Sequence, residues 1–220
     1  MPDSPATPPP KIVSLCVSMS KPIKFQGRDL YTGIYKEPVQ GRVALRALNL
    51  DGDEQADLTV HGGIDKALYA YASEHYAFWR EQLPDTKLAW GAFGENLTTE
   101  RLLESTVCIG DEFRVGTAVI RATQPRLPCY KLAIKIGRSD IIRRFIKSGR
   151  SGIYFSVVEE GVIGAGDELI YLRGDEHKVT VREVAELFIR KSQNAEQIER
   201  ILNSNLAAQM KSFVAAAYRM

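Results

Sequence analysis

The distribution of glycine and proline divides this chain into two parts of different structural class. All 17 glycines and all ten prolines lie at or before residue 174, and the segment from His177 onward contains neither. Upstream, short apolar runs alternate with turn-forming residues, a pattern that favours β-strands joined by tight turns. Downstream, apolar residues recur at helical spacing. The sequence therefore predicts a mainly β domain over residues 11–173 and a small three-helix module over residues 177–220.

The predicted helices of the C-terminal module have recognisable starting signals. Thr180 and Glu183 form a capping-box pattern before the first helix, and Asn194 with Gln197 starts the second. A third apolar stripe runs over residues 206–217. Across the module, Lys and Arg exceed Asp and Glu only slightly, so we predict that it packs against the rest of the chain or docks a partner, and does not bind DNA.

The composition is that of an ordinary globular protein, with a net charge of only +2. A chain of 220 residues should bury about 70% of its extended surface, so it needs no disulfide or structural metal to fold. The small net charge gives no general reason to expect a nucleic-acid or membrane partner. A homodimer is plausible, because a β domain with an appended helical module often leaves an apolar face for a second copy.

The cysteines and the N-terminus predict a cytoplasmic protein. The three cysteines are widely spaced and form no CxxC pair, which favours reduced thiols in a reducing compartment. Residues 1–10 hold five of the ten prolines and no apolar core, so we predict a disordered leader and no signal peptide. No apolar run approaches the roughly 18 residues that a membrane-spanning helix needs.

The strongest candidate for a reactive side chain is Cys129, which ends the hexapeptide QPRLPC. Pro128 fixes its own φ and restricts Leu127 to extended geometry, so the cysteine follows a stiff approach. Arg126 and Lys131 are close enough in sequence to favour the thiolate over the thiol. The other two cysteines lie in apolar surroundings and are predicted to belong to the core.

A first glycine-rich cluster upstream is a candidate ligand contact. Gly62 and Gly63 allow the backbone to take positive φ and to approach a ligand closely. His61, Asp65 and Lys66 surround them and offer hydrogen bonds together with charge of both signs. A hairpin turn with ordinary surface polar groups is the alternative interpretation.

A second glycine-rich cluster, WGAFGENL, covers residues 90–97. Gly94 stands between aromatic and polar residues, and Glu95 and Asn96 follow it. A carboxylate only accepts hydrogen bonds, whereas an amide both donates and accepts, so this pair could contact the edge of a heterocycle. The alternative is a tight loop whose aromatic side chains pack on the core.

Familiar catalytic and metal-binding signatures are absent from the sequence. The acidic turn around Asp51 and Asp53 fails as a calcium loop, because Ala56 stands where glycine is needed, and we predict a solvated turn. There is no P-loop, no HExxH and no dinucleotide fingerprint. A cysteine hydrolase is possible, with His61 or His75 as the base, although His75 is predicted to be exposed on a helix.

Three motifs together resemble a known family. VHGGIDKAL at residues 60–68, WGAFGENL at 90–97 and QPRLPC at 124–129 are similar, in this order, to the motifs of MOSC domains. The chain length and the three-helix tail resemble the bacterial YiiM-type branch of that family. The resemblance implies a mainly β fold, a distorted β-barrel with a few helices, followed by the small three-helix module.

The resemblance also implies a molybdenum cofactor of the molybdopterin type, with the sulfur of Cys129 as a ligand of the metal. Thiolate is a soft ligand, which suits molybdenum held by a dithiolene. The residues implied in binding the pterin and its phosphate are His61, Gly62, Gly63, Asp65, Lys66, Gly94, Glu95, Asn96, Arg126 and Pro128. An arginine common in the family is replaced here by Ser156, so another cation, Arg150 or Arg126, would have to contact the phosphate.

The activity that the resemblance implies is the reduction of N-hydroxylated compounds, such as hydroxylaminopurine-type base analogues. The N–O bond would be cleaved to give an amine and water, with electrons supplied by a separate flavoprotein. A second hypothesis is a carrier that holds the cofactor, or a persulfide on Cys129, without turnover. A cysteine hydrolase is the third hypothesis.

Overall fold

The computed structural model describes residues 8–56, 62–190 and 194–218. The leader predicted over residues 1–10 lies mostly outside these ranges, and His61 lies outside them. The described strands are β1 (Lys11–Val17), β2 (Lys21–Phe25), β3 (Arg28–Thr32), β4 (Glu37–Pro38), β5 (Arg42–Leu45), β6 (Leu68–Ala72), β7 (Leu97–Glu100), β8 (Glu112–Val115), β9 (Ala118–Pro125), β10 (Ile153–Glu159), β11 (Gly161–Gly164) and β12 (Leu169–Arg173). The described helices are α1 (Glu74–Gln82), α2 (Tyr130–Ile136), α3 (Ile141–Ser148), α4 (Val181–Arg190), α5 (Ala195–Asn203) and α6 (Ala208–Tyr218), with a short 3₁₀ turn over Ile64–Lys66.

A single mixed sheet organises the β domain. Its eight strands lie in the order β12-β8-β9-β10-β6-β7-β1-β4, and the pairs β11-β5 and β2-β3 form separate ribbons. Strands β6 and β7 pair in parallel, whereas β9 pairs antiparallel with both β8 and β10. Among the described strands of this sheet, only β8 and β9 are neighbours joined directly by a tight turn, and longer connections bring the other neighbours together. The long strand β9 carries the chain from the centre of the sheet to Cys129.

The mainly β class predicted from the sequence is confirmed, and the sheet curls without closing into a barrel. Its two ends approach each other where Lys11 forms an isolated bridge with Glu168. The Leu169 backbone N–H also donates to the Pro10 carbonyl oxygen at 2.7 Å. Among the described residues, these contacts do not extend into a continuous ladder between β1 and β12.

The C-terminal helices share the core of the β domain. Leu187 of α4, Ile198 of α5 and Val214 of α6 are buried in one apolar cluster with Phe113 and Ile120 of the sheet. A second cluster is largely aromatic, and its buried members are Tyr69, Tyr71, Tyr76, Trp79, Leu83, Leu88, Phe93, Leu132, Ile141 and Phe145. Within the described residues, no helix is both long and apolar enough to cross a bilayer.

The environment of His75 corrects a prediction from the sequence. Its ring is only 7% exposed, and Nε2 lies 2.8 Å from Glu104 Oε2. Glu104 also accepts a hydrogen bond from the Gly152 backbone N–H at 2.6 Å. The expectation of an exposed histidine was wrong because α1 packs its first turn against the sheet. His75 and Glu104 instead join the start of α1 to the entry of β10.

The cap that starts α4 is confirmed. The Thr180 backbone N–H donates to Glu183 Oε2 at 2.8 Å, and the Glu183 backbone N–H donates to Thr180 Oγ1 at 3.1 Å. The second predicted cap is also present, since Asn194 Oδ1 accepts from the Gln197 backbone N–H at 3.1 Å. Both satisfy backbone donors that the first turn of a helix leaves without partners.

Replacing Thr180 with alanine is expected to lower the free energy of unfolding by about 1 kcal/mol, because the first turn of α4 loses its side-chain acceptor. Urea unfolding followed by circular dichroism measures the change. Thr180→Ser keeps the hydroxyl and should retain most of the stability. Equal losses of unfolding free energy in the two variants would show that the Thr180 hydroxyl contributes no stability to the cap.

Candidate functional site

Cys129 lies where the central strand β9 passes into α2. The strand ends at Pro125, three residues of irregular structure follow, and Cys129 is the extended N-cap residue of the helix, with φ −118° and ψ 172°. Its carbonyl oxygen accepts a hydrogen bond from the Leu132 backbone N–H at 3.0 Å. The side chain is half-buried and borders two clefts. The fold therefore presents the sulfur from a regular strand-to-helix connection.

The first of these clefts, which we call the cationic cleft, is open to solvent, and its empty space is about 670 Å³ when the open part is counted. Its basic lining residues are Lys36, Lys66, Arg126 and Lys131, and its acidic lining residues are Asp53 and Glu54. Each of the three motifs found in the sequence contributes to this wall, through Lys66, through Gly94 and Asn96, and through Arg126 and Cys129. Segments more than 60 residues apart in sequence thus meet at one site.

Arg126 connects two of the motifs. Its guanidinium donates a short hydrogen bond to the Phe93 carbonyl oxygen, and it lies 4.8 Å from the centroid of the Tyr69 ring. The side chain is buried, so a positive charge is held beside Cys129 by protein contacts on both sides. A fixed cation at this position favours a thiolate over a thiol.

A buried ion pair that the sequence analysis missed stands in the wall of the cationic cleft. The Lys36 ammonium donates a short hydrogen bond to Asp53, which is only 5% exposed. Asp53 also accepts from the Ser18 backbone N–H at 2.8 Å and from Asn96 Nδ2 at 2.9 Å. Burial lowers the pKa of Lys36, and the neighbouring carboxylate opposes that change. The prediction that Asp53 belongs to a solvated turn was wrong.

Asn96 is at the cleft, but its amide is committed to the protein. Oδ1 accepts from the Tyr69 backbone N–H at 3.2 Å, and Nδ2 donates to Asp53 and to the Cys16 carbonyl oxygen. The side chain therefore ties β6, β1 and the Asp53 turn together. Its contribution to a ligand site is to fix the surrounding wall.

Glu95 lies behind the wall and does not line the cleft. The side chain is fully buried, and it accepts hydrogen bonds from the backbone N–H groups of Gly91 at 3.0 Å and Phe93 at 3.1 Å. It also accepts from the Tyr76 hydroxyl and from Thr98 Oγ1. Burial raises the pKa of this carboxyl group. We therefore revise its predicted role from contact with a ligand to closure of its own loop.

The first glycine cluster contributes one side chain to the cleft. Lys66 lines it, and its Nζ donates to Gln209 Oε1 at 2.7 Å. The Gly63 backbone, with φ 91°, donates to Gln55 Oε1 at 2.9 Å. Gly62 and Asp65 lie outside the cleft wall; the Asp65 carbonyl oxygen accepts from Thr123 at 2.6 Å. His61 is outside the described residues.

The cation that could replace the family's common arginine is Arg126. Ser156 lies on β10 opposite Arg121 and does not line the cationic cleft. Arg150 places its guanidinium 3.9 Å from the centroid of the Phe78 ring, away from the cleft wall. Of the two cations considered from the sequence, Arg126 alone lines this cleft.

The second cleft, which we call the α6 cleft, adjoins the first at Cys129 and Lys66 and is likewise open to solvent. Pro128 borders it, so this predicted site residue faces the second cleft and not the first. Helix α6 supplies the opposite side through Met210 and Phe213. Within the described residues, no cluster of three or more His, Cys, Asp or Glu side chains is arranged to hold a metal ion.

Lys135 is a second lysine that the sequence analysis missed, and it is partly buried. Its Nζ donates to the carbonyl oxygens of Ile34, at 2.7 Å, and of Gly91. Burial lowers the pKa of this amine from its ordinary value of 10.5 to about 8, and Glu95 opposes the shift. The lysine joins α2 to the loop that carries Gly94.

The lowered pKa of Lys135 predicts a specific pH dependence. Between about pH 8 and 10.5 the unfolded chain keeps a proton on this amine that the folded chain has released, so raising the pH favours the folded state. The gain should be on the order of 1–3 kcal/mol relative to Lys135→Met, which cannot titrate there. Urea unfolding of both proteins at several pH values measures it. A difference in unfolding free energy between the two proteins that stays constant from pH 7 to 10 would contradict the lowered pKa of Lys135.

Comparison with known proteins places this architecture in a family. The model of the MOSC domain matches residues 57–170, which is more than half of the chain and contains all three motifs. The chain belongs to the MOSC domain family. An uncharacterised protein YflK of Bacillus subtilis is 41% identical over 87% of this chain and 86% of its own length.

The solved structure of YiiM from Geobacillus stearothermophilus has the same overall fold. It is 33% identical, superposes with a TM-score of 0.80, and covers 96% of this chain and 100% of that one. The YiiM-type assignment suggested by the helical tail is thereby confirmed. A Gibberella moniliformis protein named Reductase is 35% identical over 66% of this chain, and the matched part is 26% of that longer protein.

Proposed function

We propose that this MOSC protein is a molybdenum-cofactor-dependent reductase of N-hydroxylated compounds, with the Cys129 thiolate as a ligand of molybdenum. The observation that carries the proposal is the meeting of the three motifs in one cationic cleft that has Cys129 on its border. The relative named Reductase supports a redox activity. The substrate class and the metal come from the family resemblance of the motifs.

The residues present fit such a cofactor. The cleft is open to solvent and is lined by both polar and apolar residues, as small-molecule sites usually are. Cys129 offers the soft sulfur ligand that a dithiolene-bound metal accepts. Lys66, Arg126 and Lys131 offer positive charge for a phosphate group.

The wall of the cleft is tightly packed at Gly94. Gly94 has φ 81°, and a Cβ atom built there would lie 2.8 Å from Ile34 Cγ1. Any side chain at this position would therefore have to displace the wall. Asn96 and the Lys36–Asp53 pair hold the same wall in place through their mutual hydrogen bonds.

Reduction of an N-hydroxyl group consumes two electrons and two protons, cleaves the N–O bond, and releases an amine and water. When bound, the cofactor would supply the two-electron chemistry. The protein residues would hold and orient the reactants. Arg126 favours the thiolate form of Cys129 by its fixed charge. Tyr154 lines both clefts, and burial raises the pKa of its phenol above the ordinary value of 10.

Anaerobic turnover tests this proposal against the carrier hypothesis. Protein purified from a molybdenum-replete host should convert 6-hydroxylaminopurine to adenine when reduced viologen supplies electrons. A carrier would hold the same cofactor and yield no adenine above the control without protein. Chromatography measures the adenine formed, and the amount of viologen oxidised should correspond to two electrons for each adenine. This measurement distinguishes the reductase from the carrier.

The electron donor and the assembly state complete the proposal. We propose a separate flavoprotein as the donor on the basis of the family resemblance, and a homodimer as the assembly because a β domain with an appended helical module often leaves an apolar face. The hydrolase hypothesis is weakened by His75, which is buried against Glu104 and does not line either cleft at Cys129. Light scattering during size-exclusion chromatography would report the assembly state directly.

A further inference from the structure

Among the described residues that line the α6 cleft, one side chain carries a buried polar atom that has no hydrogen-bond partner in the described part of the chain. Gln124, the first residue of the QPRLPC motif, lines this cleft and is only 3% exposed. Its Oε1 atom accepts no hydrogen bond from any described residue. Most buried polar side-chain atoms in folded proteins do have a partner, and an unsatisfied one is costly. Among the described residues the amide oxygen therefore has no donor, and a group held in the cleft that reaches it would supply one.

The remaining walls of the α6 cleft favour a flat, largely apolar ligand. Phe213 is 54% exposed although it is a large aromatic residue, and it lines the cleft together with Met210. Leu127 and Tyr154 line the facing side. Apolar and aromatic walls with a few well-placed polar groups are typical of small-molecule sites, and ring faces stack well on planar groups.

The position of this cleft relates it to Cys129. Cys129 and Lys66 border both clefts, so a ligand in the α6 cleft would lie directly beside a group held in the cationic cleft. The Lys66–Gln209 hydrogen bond, 2.7 Å long, ties the rim of the β domain to α6. The C-terminal helix thereby completes a compartment that the β domain only half encloses.

We propose that the α6 cleft is the substrate subsite, and that it takes a flat heteroaromatic group which donates an N–H to Gln124 Oε1. Phe213 and Leu127 would contact the ring faces. The role as a substrate subsite rests on the proposed reductase function, whereas the binding of a flat N–H donor does not. Gln124 acts here as a specificity residue, and α6 as a wall of the site.

Calorimetric titration of adenine into the full-length protein, with its cofactor as purified, tests the binding. Gln124→Met keeps the length of the side chain and removes the acceptor, so adenine should bind about tenfold more weakly, the loss of roughly one hydrogen bond. The thermal midpoint should stay level or rise, because the amide oxygen has no partner to lose. A merely structural role would lower the midpoint.

Phe213→Ser should also weaken adenine binding, by about tenfold or more. Tyr171→Ser is the control, because Tyr171 is an exposed aromatic residue of β12 outside both clefts, and this variant should bind adenine as the wild type does. Equal adenine affinity in the wild type and Gln124→Met, or no adenine binding by the wild type, would overturn the subsite. If adenine binds as predicted while 6-hydroxylaminopurine is not reduced, the reductase function fails and the binding subsite stands.

Discussion

Replacing Cys129 with serine is expected to lower the rate of 6-hydroxylaminopurine reduction by more than about 100-fold. Loss of a residue that only supports a metal ligand typically costs 10–100-fold, so loss of the proposed ligand itself should cost more. A serine hydroxyl is a harder ligand and stays protonated at neutral pH, so it cannot replace a thiolate on a soft metal. The initial rate with reduced viologen, per mole of protein, measures the effect.

Cys108→Ser is the matched control for this variant. Cys108 is half-buried like Cys129 but lines neither of the clefts at the site. The control should keep the wild-type rate within about twofold, since surface and half-buried changes of this size usually alter stability only slightly. If Cys129→Ser reduces 6-hydroxylaminopurine as fast as Cys108→Ser, the thiolate of Cys129 is not needed for the reaction.

Replacing Asp53 with alanine is expected to lower the free energy of unfolding by about 3–5 kcal/mol, the usual cost of breaking a buried ion pair. The variant leaves the Lys36 ammonium buried without its carboxylate, and it also removes acceptors from Ser18 and Asn96. Because these contacts hold the cleft wall, cofactor content should fall as well. Urea unfolding measures the stability, and metal analysis measures the content.

Asp51→Ala makes the same substitution two residues away in an exposed pair. Asp51 contacts Arg46 at 3.2 Å, and both side chains are more than half exposed. Exposed pairs contribute about 0–1 kcal/mol, so this control should unfold near the wild-type midpoint. Similar losses of unfolding free energy in Asp51→Ala and Asp53→Ala would show that the buried Lys36–Asp53 pair stabilises the protein no more than the exposed Arg46–Asp51 pair.

The features predicted correctly from the sequence are those set by local chemistry. Thr180 and Asn194 start helices because their own side chains satisfy nearby backbone groups. The absence of glycine and proline after residue 174 similarly predicts the helices that the structure contains. The three motifs were recognised as a set, and the fold brings part of each to one cleft.

The features missed are those decided by tertiary packing. Asp53 looks like a surface residue because it follows Asp51 and Gly52 in a polar turn, and only the fold brings Lys36 and Asn96 to it. Glu95 looks like a ligand contact because it is a carboxylate in a glycine-rich loop, yet its acceptors are used within that loop. No local pattern distinguishes these cases.

The helical tail packs into the core of the β domain, which is one of the two roles predicted from its sequence. Its composition changes sharply at residue 174, but the apolar faces of α4, α5 and α6 contribute to the core cluster of the sheet. Deleting residues 177–220 would therefore expose that core and unfold the protein, so it could not isolate a docking role. Substitutions on the exposed surface of α6, such as Phe213→Ser, are the more informative variants.

The central claim is that the sulfur of Cys129 holds molybdenum, and metal analysis of anaerobically purified protein tests it most directly. Wild type and Cys108→Ser, made side by side in a molybdenum-replete host, should each carry close to one molybdenum per chain by mass spectrometry. Cys129→Ser should carry little molybdenum, and its thermal midpoint should show that it is folded. Equal molybdenum in all three proteins, or none in the wild type, would contradict the assignment of Cys129 as the ligand.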